Sequence, residues 1–228
     1  MKTINHPLVK GEVKELYPKI FCALIDDDYD RAMLFCRYQE FYESPYKQFR
    51  GKPFTWAEFM RYYKNDREAN TFTYPYDWCG YNIPSKVLSQ GLLTFSKKEW
   101  GQYDEIMSDI WYACENYPLR FNKPRTKWYL IGASSKDLKT LDHEIAHGLY
   151  YTNAKYKKDC DALVSKISKK HYNFLKKALI KMGYADDKKI IDDEIQAFMS
   201  TGLYRDFNGD EIKPYTEAFI ANFNKYKK

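Results

Sequence analysis

Residues 127–152 read KWYLIGASSKDLKTLDHEIAHGLYYT, and the fold turns on how they are read. Lys127 to Gly132, KWYLIG, carries the strongest strand signal in the chain: an apolar run bounded by Pro124 upstream and Gly132 behind. Ser134 or Ser135 then caps a helix predicted to run to about Thr152. Inside it stand His143, Glu144, Ile145, Ala146 and His147. Two histidines four residues apart project from one helix face, one turn above the other, so both imidazoles can reach one ion. Glu144 sits one position round the helix, where it can lie beside the ion without binding it. There it can take a proton from water whose pKa the ion lowers. Leu141, Ile145 and Leu149 supply a separate apolar face, and Ala146 and Gly148 are small. The chain has only 4 His, so this spacing is hard to reach by chance. A helix with two unrelated histidines is the weaker reading.

A hydrolytic zinc site needs a third protein ligand and leaves the fourth position to water. His6, near the N-terminus, and His171, on the apolar face of a later helix, are poor candidates. The downstream segment 190–202, IIDDEIQAFMSTG, offers Asp192, Asp193 and Glu194. At about 100° per residue these carboxylates point in different directions. Ala197, Phe198 and Thr201 share the face of Glu194, whereas Gln196, Ala197 and Ser200 follow Asp193 and are more polar. The pattern favours Glu194 as the third ligand, with Asp192 and Asp193 outside the metal shell. The alternative covers all three carboxylates as an acidic cluster that gains from the dipole of a helix N-terminus.

Working outward, residues 10–24 and 28–43 read as helices. The second opens after Asp26, Asp27 and Asp28, a cluster that lacks the Gly of a calcium loop and reads as a cap. Residues 44–54 form a loop, and Thr55 caps a short helix to about Asn65. The aromatic stretch 72–84, FTYPYDWCGYNIP, holds at most one short strand. It reads first as a cover for the core and second as a cleft wall. Helices follow at 97–116, at 157–182 with Gly183 as its stop, and at 187–201 with Gly202 as its stop. A turn at Asp206 to Gly209 precedes a last helix from Pro214. The class is α+β: mostly helical with a small sheet, in which the active-site helix lies next to a strand offering its edge to substrate. Two regions, a helical and aromatic-rich 1–120 and a metal-binding 121–228, are expected to form one compact domain.

Composition narrows the function further. With 44% hydrophobic and 30% charged residues, the chain is globular rather than disordered. The 22 Tyr and 14 Phe predict a core rich in rings that keep wet hydroxyls. A net charge of +6 does not imply nucleic acid, and the lysines of 155–189 read as a solvated helix face. The 5 Cys are odd in number and widely spaced, which indicates neither a disulfide framework nor a Cys-rich zinc site. No apolar run suits a signal peptide or a membrane span, so a cytoplasmic protein with no membrane partner is expected.

HEIAH followed by a helix containing DEIQAF resembles the zincin metallopeptidases, in their glutamate-ligand branch, the gluzincins. The resemblance covers at most residues 127–204. It implies Zn²⁺ as cofactor, His143, His147 and Glu194 as its ligands, Glu144 as general base, and a peptide or protein as substrate. It also implies that KWYLIG pairs with extended substrate. The chain departs from the pattern in four ways. A third His after the motif is missing, which excludes the metzincin branch. The Asp found four residues after the ligand Glu in thermolysin-like enzymes is here Phe198. Residues 1–120 match no family pattern, and the group that stabilises the oxyanion stays open among Arg125, Tyr204 and Tyr215. The expected function is a zinc-dependent metallohydrolase, a peptidase. The alternative is a non-catalytic binding protein with a structural or vestigial metal site, working through the 72–84 loop and the basic helix. A metal site with an open position favours the enzyme, and a closed four-ligand site the binder.

Overall fold

The computed structural model describes residues 2–5, 9–116, 127–202 and 211–227. Its strands are β1 Lys2–Asn5, β2 Lys10–Tyr17, β3 Ile20–Leu24, β4 Tyr81–Pro84 and β5 Tyr129–Ala133. Its helices are α1 Asp28–Glu43, α2 Trp56–Asp66, α3 Tyr74–Asp77, α4 Ser85–Thr94, α5 Gln102–Glu115, α6 Leu138–Thr152, α7 Ala154–Val164, α8 Lys169–Met182, α9 Lys188–Thr201 and α10 Lys213–Tyr226. The class is α+β, as expected.

The strands form one sheet in the order β1-β2-β3-β5-β4. Only β3 and β5 run parallel; the other pairings are antiparallel. The predicted helix at 10–24 is therefore corrected to a hairpin. Pro18 lies in the middle of that window, where it would remove a helical donor. Lys19, with φ 71°, completes the turn and donates its N–H to Glu15 Oε1 at 2.7 Å.

Two-residue periodicity sorts the sheet into two cores. Phe21, Ala23, Trp128 and Leu130 pack with α1 residues Leu34, Phe35 and Tyr38 on one face. Ile20, Cys22, Leu24, Tyr129, Ile131 and Ala133 pack with Ile145, Ala146 and Leu149 of α6 on the other. Gly132 lets α1 approach closely: a Cβ there would lie 2.5 Å from the Phe35 ring. A third cluster joins α7, α8, α9 and α10 through Val164, Leu175, Leu179, Ile191, Ile195 and Phe219. Arg37 and Asp104, both buried, are 2.8 Å apart and tie α1 to α5.

Several local expectations hold. Asp27 caps α1 by accepting from Asp30 N, and Thr55 opens α2 in a capping box with Glu58. Gly183 (φ 109°) and Gly202 (φ 74°) end α8 and α9. Others are corrected. Asp137, not Ser134 or Ser135, caps α6, because both serines are engaged by Asp26. The helix predicted over 157–182 breaks into α7 and α8, where Ser168 turns its hydroxyl to the His171 N–H and starts a new helix. The 97–116 helix starts at Gln102, after a single 3₁₀ turn at Lys97–Glu99. The turn at Asp206 to Gly209 lies outside the described residues.

The strand from KWYLIG does sit beside the motif helix, but it is not an edge. It pairs with β3 on one side and β4 on the other. The edge next to α6 is β4, drawn from the aromatic stretch. No helix among the described residues is long and apolar enough to cross a membrane.

Candidate metal centre

Helix α6 presents His143 and His147 from one face, both buried, and α9 brings Glu194 against them. The two imidazole Nε2 atoms are 3.2 Å apart. His143 Nε2 lies 3.5 Å from Glu194 Oε2, and His147 Nε2 lies 3.5 Å from Glu194 Oε1. Zinc–ligand bonds of about 2.0–2.1 Å in a tetrahedral arrangement set donor atoms about 3.3 Å apart, so these spacings suit such an ion. Glu194 Oε2 is buried with no hydrogen-bond partner, as expected of an atom that serves a cation. Among the described residues, His143, His147 and Glu194 are the group that could hold a metal.

The surrounding contacts set the donors. His147 Nδ1 is 2.9 Å from Asp193 Oδ1, which turns the Nε2 lone pair toward the centre. Gln196 Nε2 donates to the same Asp193 oxygen at 2.9 Å, and Tyr156 OH donates to Gln196 Oε1 at 3.0 Å. Asp193 lies outside the group of donors, as expected, but it orients one of them, a role its polar neighbours did not reveal. Asp192 does face away, accepting from Tyr172 OH at 2.8 Å. At His143 the arrangement differs. Phe198 packs on its ring at a centroid distance of 4.5 Å, and His143 Nδ1 has no hydrogen-bond partner. The orienting carboxylate thus serves the second histidine, and a phenyl ring wedges the first.

Electrostatics favour positive charge at this point. Burial alone would raise the Glu194 carboxyl, but the charge of His147 and the approach of both imidazoles at 3.5 Å outweigh it and hold it at about 2. Burial opposes a charge on His147, yet Glu194 and Asp193 raise its pKa well above the ordinary histidine value.

Glu144 is buried beside the centre. Asn82 Nδ2 donates to Glu144 Oε2 at 3.0 Å, and Tyr129 OH donates to Asn82 Oδ1 at 2.6 Å, which fixes the amide. Gly80 gives the carboxylate its room, since a Cβ there would stand 2.3 Å from Glu144 Oε1. Burial raises the Glu144 pKa, against the opposing charges of His143 and His147. A base tuned upward in this way suits proton transfer near neutral pH.

These residues open onto a cavity of about 60 Å³, walled also by Glu40, Glu43, Tyr74, Trp78 and Tyr184. Neither Asn82 nor Tyr184 was singled out from sequence. Asn82 had a signal: it is the one polar residue in YNIP, on the strand face opposite Tyr81 and Ile83. Of the residues considered for the oxyanion, Tyr215 is engaged by His171 Nδ1 at 3.3 Å and is not among the residues that line the cavity. Arg125, Tyr204 and the rejected ligand His6 lie outside the described residues.

Glu40 supplies a pH prediction. Burial raises its carboxyl from 4.5 to about 7, against hydrogen bonds from Ser44 and Tyr74. The folded state therefore favours the protonated form. Its contribution is fully present below the unfolded value near 4.5 and is lost as pH rises through about 7, a change on the order of 3 kcal/mol. Glu40→Gln should match wild type in urea unfolding at pH 4.5 and exceed it at pH 8. A difference independent of pH would contradict this.

No family model, curated protein or solved structure matches the chain.

Proposed function

We propose that the protein is a zinc-dependent hydrolase of amide bonds, of the peptidase type, with His143, His147 and Glu194 as metal ligands and Glu144 as general base. The observation that carries this reading is the placement of Glu144. A three-donor group opens onto a cavity, and a buried carboxylate that is not part of that group is held beside it by Asn82. A structural or vestigial site has no use for such a base.

Zinc, when bound, supplies Lewis acidity that lowers the pKa of water and polarises a carbonyl. The protein's own groups do the rest. Asn82 fixes one Glu144 oxygen and leaves the other free to accept the proton of the attacking water and pass it to the leaving amine. Asp193 holds His147 in the right tautomer. Burial, then the charges of Glu194 and Glu144, raise the pKa of Tyr184 well above the ordinary phenol value. Its hydroxyl therefore stays protonated, and a hydrogen bond to Glu194 holds it at the cavity wall, from which it can turn to a developing oxyanion. The resemblance to gluzincins supports the ligand set. Substrate pairing along KWYLIG is withdrawn from the reading, since both edges of that strand are taken.

The test is metal dependence. A panel of small amides and short peptides should be hydrolysed by zinc-loaded protein, stop with a zinc chelator and resume when zinc is restored. Turnover that persists after complete metal removal would overturn the reading.

A further inference from the structure

The walls of the cavity point to the substrate. Glu40 and Glu43 come from the last turns of α1 and line the same space as Glu144 and Glu194. No Lys or Arg is among the described residues that line it. Four carboxyl groups thus share the cavity, and burial raises the pKa of Glu40, Glu43 and Glu144, so a cation that enters favours their ionised forms. Glu40 is 5% exposed, yet its Oε2 has no hydrogen-bond partner. A buried carboxylate oxygen aimed into a cavity without a donor is costly unless a ligand provides one.

Building on the metal-hydrolase reading, we propose that Glu40 and Glu43 bind the ammonium group of the substrate, a free α-amine next to the amide that is hydrolysed. Two observations fit. The N–H of Asn82 in the middle of β4 is already taken by Gln39 Oε1 at 3.1 Å, so that edge position is closed to an extended chain. Gln39 Nε2 in turn donates to Glu43 Oε1, which holds that carboxylate in the wall. The raised pKa of Glu40 agrees, because burial outweighs the hydrogen bonds of Ser44 and Tyr74 and the charge of Arg67, and an ammonium would add to the side that favours ionisation.

Hydroxamates that anchor on zinc provide the test. Glycine hydroxamate and its isostere propionohydroxamate are compared on zinc-loaded protein at pH 7, below the ordinary α-amine pKa of about 7.7–8.0. A charge-assisted contact should make the amine bind about tenfold tighter or more. In Glu40→Gln and Glu43→Gln the ratio of the two Kd values should fall toward one. Propionohydroxamate binding with no gain from the amine overturns this assignment and leaves the metal reading standing. Tighter binding of 6-aminohexanoic hydroxamate than of glycine hydroxamate overturns the α-amine in favour of a side-chain ammonium. Binding of neither compound to zinc-loaded protein overturns both readings.

Discussion

Glu144→Gln is expected to keep the fold and the metal while hydrolysis falls by roughly 10²–10⁴-fold or more, the usual contribution of a positioned general base. The amide preserves the shape of the side chain, and its oxygen can still accept from Asn82 Nδ2, which now sits 3.0 Å from the carboxylate. The substitution therefore removes basicity without opening the space that Gly80 leaves for this side chain. Metal content and amide turnover are measured on the same preparation. Loss of zinc along with activity would make Glu144 a ligand, and unchanged activity would make another group the base.

Glu194→Ala should have the largest effect on metal affinity. It deletes the carboxylate that faces both imidazoles at 3.5 Å and leaves two neutral donors in a buried site. Asp193→Ala should weaken zinc by about 10–100-fold, the range found when an outer hydrogen-bond partner of a ligand is lost. Glu194→Ala should exceed that range. Asp192→Ala should leave affinity near wild type, because Asp192 is paired with Lys188 and Tyr172 outside the cluster. Competition with a chelator of known affinity orders the three variants. An Asp192→Ala loss as large as that of Glu194→Ala would refute the assignment.

The ligand geometry was legible because helical spacing is local. Four residues bring His143 over His147 whatever the rest of the chain does, and the apolar neighbours of Glu194 marked its buried face. Termination by Gly183 and Gly202 was legible for the same reason. Strand order was not, since pairing depends on partners far away in sequence. KWYLIG looked like an edge only because the YNIP strand, some 45 residues earlier by the numbering, was hidden in an aromatic stretch that also packs the core. The 10–24 segment misled because β3 is buried on both faces and so lacks alternation, although Pro18 already argued against a helix. Asp193 was set aside on its polar neighbours. Yet those neighbours, Gln196 above all, are what hold it against His147.

The most direct test of the account is the zinc content of the purified chain, measured by elemental analysis after exposure to zinc and removal of loosely held ions. Three donors converging from α6 and α9 predict about one zinc per chain, lost in Glu194→Ala. Protein that holds no transition metal after zinc has been supplied would contradict the metal centre itself.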